Sequence, residues 1–187
     1  MKCQRYITRD AALIAALFIM LFQMTPAAYA VDRVSVDNLQ AAMRTLSFLE
    51  SLPKQGNILV GVVYSSDVPN GQALAEETAK AIIAMQGPNS RILQPVIVSA
   101  NDLAKFDGRL DVLFLVTGAS RQSELILSAM GRNHLVSISD DPGCVDTKCC
   151  VLIVRTGQRV EISLNTALAE SVGAKFSLVF MMVVKRK

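Results

Sequence analysis

The fold of this chain is decided by one apolar run, Ile58-Leu59-Val60-Gly61-Val62-Val63-Tyr64. Turn-forming residues bound the run on both sides, with Gly56-Asn57 before it and Ser65-Ser66-Asp67 after it. A short apolar run that is rich in β-branched side chains and limited in this way is typical of a strand buried on both faces. The stretch therefore predicts a parallel or mixed sheet.

The segments around this run predict alternating helices and strands. Apolar residues recur at intervals of three and four over residues 34–52 and 72–85, which predicts two helices, and a third helix is predicted over residues 120–130. Strands are predicted over residues 91–99, 111–117 and 135–139. Pro95 indicates an edge position for its strand, because proline cannot donate to a β-ladder. Ser120 and Gly131 are predicted to begin and end the third helix.

The pattern changes beyond residue 140. Residues 150–155 and 158–164 are two short apolar segments around Thr156-Gly157, which predicts a β-hairpin. A helix is predicted over residues 166–172, and residues 176–184 suit either a buried helix or a strand. We predict an α/β fold with three layers, in which a mixed or mostly parallel sheet has helices on both faces and a C-terminal β-hairpin.

The first thirty residues have the three parts of a signal peptide. Lys2, Arg5 and Arg9 are the basic start, residues 11–24 are the apolar run, and Ala28-Tyr29-Ala30 is a small-x-small cleavage site. This apolar run is shorter than the ~20 residues that a bilayer-spanning helix needs, which disfavours an uncleaved anchor. We expect residues 1–30 to be removed on export and residues 31–187 to form a single domain outside the cytoplasm.

The charge balance disfavours a nucleic-acid partner and an acidic-membrane partner. The whole chain has 19 Lys and Arg and 16 Asp and Glu residues, and loss of residues 1–30 leaves 16 basic and 15 acidic residues. Binding to nucleic acid or to an acidic membrane requires a concentrated basic field, which the overall balance of a chain so close to neutral does not predict.

Three of the four cysteines, Cys144, Cys149 and Cys150, lie within seven residues. In an oxidising compartment close cysteines form disulfides, so a crosslinked loop is expected rather than a zinc site, which normally has four ligands. Successive side chains of a strand face opposite sides, so only one of Cys149 and Cys150 is expected to reach Cys144. Both pairings stay open. The spare cysteine is expected to be buried or, if exposed, to crosslink a homodimer.

The sequence offers no group of residues with the pattern of an active site. His134 is the single histidine, and no nucleophile or carboxylate motif partners it in sequence. Thr117-Gly118-Ala119 follows a predicted strand but lacks the Gly-rich loop and the lysine of a P-loop. The chain is therefore predicted not to be an enzyme, with no catalytic residues, no cofactor and no metal.

Several segments of the chain resemble the YfiR family of exported proteins. Val136-Ser137-Ile138-Ser139-Asp140, a loop with cysteines, and a hairpin that ends in Val160-Glu161-Ile162-Ser163-Leu164-Asn165 come in the order typical of that family. Residues 47–53 are similar to the family's short aromatic helix end, and residues 173–177 continue the similarity. Leu52 stands where the family usually has Trp, and Ser163 stands where Asn is common.

The resemblance implies a periplasmic regulatory protein. Such a protein binds the periplasmic sensor region of a membrane-bound diguanylate cyclase and represses cyclic di-GMP synthesis. It releases that partner on a redox or envelope-stress signal, or when another protein, associated with the outer membrane, captures it. On this interpretation Cys144 pairs with Cys149 or Cys150, and the partner-binding residues are Glu161, Asn165 and Phe176. For Glu161 the alternative is an ordinary outward-facing strand residue.

A second hypothesis is a periplasmic small-molecule binding module that resembles one lobe of a solute-binding protein. Ligands of open α/β sheets bind at the C-terminal ends of the strands, which are expected here near Ser65-Ser66-Asp67 and Thr117-Gly118-Ala119.

Overall fold

The structure, a computed structural model, describes residues 35–186. Its strands are β1 Ile58–Tyr64, β2 Leu93–Ser99, β3 Val112–Leu115, β4 Val136–Ser139, β5 Leu152–Thr156, β6 Val160–Leu164 and β7 Lys185–Arg186. Its α-helices are α1 Val36–Thr45, α2 Gly71–Ile83, α3 Ala100–Leu103, α4 Ser123–Asn133, α5 Gly143–Asp146, α6 Thr166–Ser171 and α7 Leu178–Val183. The predicted signal peptide, residues 1–30, lies outside the described residues.

The seven described strands form one sheet in the order β2-β1-β3-β4-β5-β6-β7. The first five strands of that order are parallel, with Val60 opposite Val112 and Ile138 opposite Leu152. β5 and β6 are antiparallel, and β7 runs parallel to β6. The predicted mostly parallel sheet, its C-terminal hairpin and the edge position of the strand with Pro95 are confirmed.

The helices cover the sheet in the manner of a doubly wound α/β fold. The connection from β1 to β2 and the connection from β2 to β3 cross the sheet in opposite directions. Because such connections are right-handed, α2 and α3 lie on opposite faces of the sheet. The core lies between these layers, which is why all four residues of β3 and all four of β4 are buried. Among the described helices, none has the length and apolar content that crossing a membrane would require.

Several local predictions were wrong at the helix ends. α1 ends at Thr45 and continues as a 3-10 turn, Leu46–Phe48, instead of reaching residue 52. α4 begins at Ser123, after a 3-10 turn that contains Ser120, and runs through Gly131. Its C-cap is His134 in the left-handed conformation, with φ of 53°, so the helix continues past the glycine that was expected to end it.

Candidate functional site: the cysteine loop and the C-terminal surface

The cysteine loop, residues 140–151, is anchored at the C-terminal ends of β3 and β4. The Asp141 carboxylate accepts hydrogen bonds from the backbone N–H groups of Gly118 and Gly143, each at 2.9 Å. The Asp141 N–H in turn donates to Ser139 Oγ at 3.0 Å, and Ser139 Oγ donates to the Leu115 carbonyl at 2.8 Å. Because Ser139 is fully buried, the loop leaves the sheet in a fixed direction.

A disulfide joins Cys144 to Cys150 across this loop, with a Cα–Cα distance of 5.7 Å. The sequence left open whether Cys144 pairs with Cys149 or with Cys150, and the structure has the pair with Cys150. Cys144 lies in the helical turn α5, and Cys150 comes just before β5. The crosslink therefore ties the turn to the chain that enters the hairpin.

Cys149 keeps a free, fully buried thiol beside the disulfide. Its Sγ lies 3.3 Å from the Sγ of Cys144 and 3.2 Å from the Oγ1 of Thr147. Its backbone carbonyl accepts a hydrogen bond from Ser137 Oγ at 2.8 Å. Burial raises the pKa of the Cys149 thiol, an effect that the Thr147 hydroxyl opposes in part. Cys149 is thus a neutral thiol within contact distance of a disulfide sulfur.

The three sulfur atoms lie within 4.8 Å of one another. A thiolate cluster of that size could hold a soft metal only if all three sulfurs were reduced, because a sulfur in a disulfide is not a thiolate ligand. With Cys144 and Cys150 bonded to each other, Cys149 alone remains as a thiol. The oxidised loop is therefore a crosslink and not a metal centre.

The loop is connected directly to the C-terminal hairpin. Val151, which follows the disulfide, accepts a hydrogen bond on its carbonyl from the Asn165 N–H at 2.9 Å. Farther along the same strand pair, Arg155 lies opposite Glu161. The residue after Cys150 is therefore joined by a main-chain hydrogen bond to the residue that follows β6.

Glu161 is half-buried on β6 and is surrounded by basic side chains. Its carboxylate lies 3.2 Å from the Lys185 ammonium and 3.7 Å from the Arg159 guanidinium. The hydrogen bond and the positive charge of Lys185 lower the pKa of the Glu161 carboxyl, and Arg159 and Arg155 lower it further. We define the basic cluster as Arg155, Arg159, Lys185 and Arg186, all of them exposed.

Asn165 and Phe176 have structural contacts of their own. Asn165 is the N-cap of α6, where its Oδ1 accepts a hydrogen bond from the Leu168 N–H at 3.0 Å. Phe176 stacks on Phe180 with ring centroids 5.1 Å apart, and Phe180 stacks on Phe48 at the same distance. Glu161 and Phe176 thus both contact residues 178–186, through Lys185 and Phe180, whereas the side chain of Asn165 contacts its own helix.

The C-terminal segment also carries an exposed apolar surface that the sequence did not predict. α7 is capped by Ser177 and buries Phe180 completely against the aromatic stack. On its other side Leu178, Val179, Met182 and Val183 are exposed by 83, 66, 85 and 73%. We call these four residues the C-terminal stripe. Ser177 is a residue type that often begins a helix, so the start of α7 could have been predicted. The continuous apolar run did not indicate which side of that helix faces solvent.

A comparison with protein-family profiles shows what this architecture is similar to. The YfiR/HmsC-like profile matches residues 47–183, which is well over half of the chain. The chain belongs to the YfiR/HmsC-like family. The match contains the cysteine loop, the hairpin and the C-terminal stripe, and it confirms the resemblance that the sequence suggested. No curated protein matches the chain significantly.

The YfiR/HmsC-like family is a family of regulatory proteins and is not known as an enzyme family. His134, the single histidine, occupies a left-handed helix cap, and its Nδ1 lies 3.3 Å from the Val172 carbonyl. Its contact is therefore with the backbone and not with a nucleophile.

The ligand position of the second hypothesis is filled by the protein itself. In this sheet the strand order reverses between β1 and β3, and the crevice at their C-terminal ends is where α/β proteins bind ligands. The Gly118 N–H, which could hold an anion there, already donates to Asp141. Val68 packs so closely that a Cβ on Gly118 would lie 2.9 Å from its Cγ2. An anion could therefore accept a hydrogen bond from the Gly118 N–H only by displacing the Asp141 carboxylate.

Proposed function

We propose that this protein is an exported regulator that binds the periplasmic sensor region of a membrane-bound diguanylate cyclase and represses it, so that cyclic di-GMP falls. The observation that carries the proposal is the YfiR/HmsC-like match over residues 47–183. In this proposal residues 1–30 are a cleaved signal peptide, residues 31–187 are one domain, and the mature protein works in the periplasm.

The partner-binding surface is proposed to include Glu161, Asn165 and Phe176, of which Asn165 is also the N-cap of α6. Two features support this assignment. Glu161 lies at the centre of the basic cluster, where charges give specificity to a protein interface. Phe176 is a half-buried aromatic residue beside exposed apolar side chains, a composition typical of interface centres.

The cysteine loop is proposed as the sensor of the redox state. The disulfide joins α5 to the start of β5, and β5 pairs with the strand that carries Glu161. Reduction would free α5 from β5 and loosen the strand pair at its Cys150 end, which is how a local redox event changes a distant surface. Capture by an outer-membrane-associated protein is the second proposed route to release of the cyclase.

The function is tested by deletion of the gene in its host and measurement of cyclic di-GMP and surface attachment. A rise that a plasmid copy of the wild-type gene reverses supports repression of a cyclase. Unchanged cyclic di-GMP in the deletion strain overturns the proposal.

The surface is tested by complementation with single variants. We expect Glu161→Lys to be exported and folded but to leave cyclic di-GMP high, because the substitution reverses the negative charge that lies among the basic side chains. Glu77→Lys is the matched control, since Glu77 is an exposed glutamate on α2, far along the chain from the hairpin. Repression by Glu161→Lys at the level of Glu77→Lys would remove Glu161 from the partner surface.

A further inference from the structure

The C-terminal stripe is a coherent face of one helix. With 100° between successive residues, Leu178, Met182, Val179 and Val183 fall within about 140° of one another around the axis of α7. Phe180 lies outside this arc and is fully buried, so the helix is fixed to the core by one side and presents aliphatic side chains on the other. Exposed fractions of 66 to 85% mean that these side chains project from the surface instead of lining a groove.

The basic cluster is continuous with the stripe. α7 leads through Val184 into β7, which places Lys185 and Arg186 beside β6. Lys185 and Arg159 both contact the Glu161 carboxylate, and Arg155 lies opposite Glu161 in the hairpin. Three cations therefore surround the Glu161 carboxylate, and Arg186 is exposed one residue farther along β7. All four cations lie close in the chain or in the sheet to the end of the exposed apolar helix.

We propose that the C-terminal stripe and the basic cluster together form a docking surface for an anionic phospholipid bilayer. The aliphatic side chains enter the boundary between headgroups and acyl chains, and the cations contact lipid phosphates. This inference concerns the described surface alone and does not depend on the proposed function.

Charge distinguishes this occupant from a second copy of the chain. A symmetric dimer through the stripe would bring two basic clusters of the same sign close together, which is unfavourable. An anionic membrane satisfies both parts of the surface at once. It also accepts projecting aliphatic side chains without a complementary groove. Aromatic side chains and Arg dominate protein-binding hot spots, whereas the four residues of the C-terminal stripe are all aliphatic or methionine.

The expected binding to the bilayer is reversible, because the apolar stripe and the basic cluster each contribute only a weak attraction. One apolar insertion or one lipid chain gives only marginal membrane binding, and stable attachment needs an apolar signal together with a basic patch. Each Lys or Arg near an anionic surface strengthens binding about fivefold. Because salt screens this attraction, we expect the bound fraction to fall steeply between about 0.05 and about 0.5 M NaCl.

The test is sedimentation of the exported, purified protein with vesicles. Vesicles of equal parts phosphatidylglycerol and phosphatidylcholine are compared with vesicles of phosphatidylcholine alone. The double variant Leu178→Ser, Met182→Ser is expected to lose at least tenfold in affinity for the anionic vesicles, as burial of two large apolar side chains is removed. The matched control is Ile83→Ser, Ile92→Ser, which changes two apolar residues exposed by 66 and 64% outside the stripe and is expected to bind like the wild type.

A second pair of variants tests the charges, and the two variants are expected to change binding in opposite directions. Arg159→Gln is expected to weaken binding about fivefold, whereas Glu161→Gln is expected to strengthen it about fivefold, because it removes the anion from the cluster. Circular dichroism of every variant establishes that it is folded.

Four results would overturn the proposal. They are absence of binding to the anionic vesicles, equal binding to phosphatidylcholine, equal binding by the stripe variant and its control, and weaker binding by Glu161→Gln. Sedimentation velocity completes the test. Self-association that the stripe variant abolishes, without vesicle binding by the wild type, would assign the surface to a second copy instead.

Discussion

The Sγ of Cys149 lies 3.3 Å from the Sγ of Cys144, although Cys144 is already bonded to Cys150. Cys149 and Cys150 are neighbours in sequence, yet both bring their sulfurs to the same partner. The alternation of side chains that was expected to separate them does not apply, because β5 begins only at Leu152. The loop is therefore built to accept either pairing with small rearrangement.

We expect Cys150→Ser to retain a disulfide, now between Cys144 and Cys149. The measurement is mass spectrometry of the exported protein after denaturation and alkylation without reduction. The wild type is expected to carry one alkylated cysteine more than Cys150→Ser, because the variant has both remaining loop cysteines in a bond.

Cys144→Ser is the control for this experiment. It removes the shared partner and is expected to leave both Cys149 and Cys150 open to alkylation. Two alkylated loop cysteines in Cys150→Ser as well would show that Cys149 cannot replace Cys150.

We also expect the buried Cys149 thiol to make the folded protein less stable at alkaline pH. Burial raises the pKa of its thiol in the folded state, so the unfolded chain releases this proton first as the pH rises. The contribution of the neutral thiol is fully present below the pKa of the unfolded state and is lost as the pH rises toward the folded one. Urea unfolding from pH 7 upward should show a steeper decline for the wild type than for Cys149→Ala. Parallel curves would mean that the thiol titrates alike in both states.

The buried centre of the fold could be predicted from the sequence because its signals are local. An apolar run such as residues 112–115 has one stable environment, between two layers of helices, and Pro95 restricts its own strand to an edge. The hairpin followed from two apolar segments around Thr156-Gly157. In each case the residues themselves contain the information.

The rest depends on contacts between residues that are distant in sequence. α4 begins after a 3-10 turn next to Gly118, whose N–H is held by Asp141, 23 residues away. α7 is fixed by the stacking of Phe180 on Phe48, so the exposed side of the helix is determined by a ring in another part of the chain. Hydrophobic periodicity and secondary-structure propensity contain no information about such distant partners, which is why the C-terminal stripe was not predicted.

Asp141 is expected to be the most sensitive polar residue of the cysteine loop. Asp141→Ala removes the acceptor of the Gly118 and Gly143 N–H groups, and a lost hydrogen bond to a charged group costs about 1.5–3 kcal/mol. We expect a loss of about 3 kcal/mol in the free energy of unfolding, measured by urea denaturation. Asp146→Ala, an exposed aspartate of the same loop, is the control and should change stability by less than about 0.5 kcal/mol.

The same variant tests the small-molecule hypothesis. Because Asp141 occupies the crevice at the ends of β1 and β3, inorganic phosphate is expected to leave the melting temperature of the wild type unchanged. In Asp141→Ala the Gly118 N–H is released, so phosphate is expected to raise the melting temperature. A rise in the wild type would show that an anion displaces the carboxylate and would favour a ligand-binding function.

Protonation of Glu161 should lower the stability of the protein in acid. Lys185 lowers the pKa of its carboxyl in the folded state, so the unfolded chain takes up this proton first as the pH falls. The contribution of the ionised carboxylate is fully present above the pKa of the unfolded state and is lost as the pH falls through the folded one. The wild type is therefore expected to have a higher melting temperature than Glu161→Gln at neutral pH, and this difference should vanish in acid.

Salt provides a second check of the same ion pair. Because Lys185 and Glu161 are partly in contact with solvent, added NaCl should reduce the difference in melting temperature at neutral pH. A difference that is constant with pH would assign the effect of the substitution to packing and not to charge.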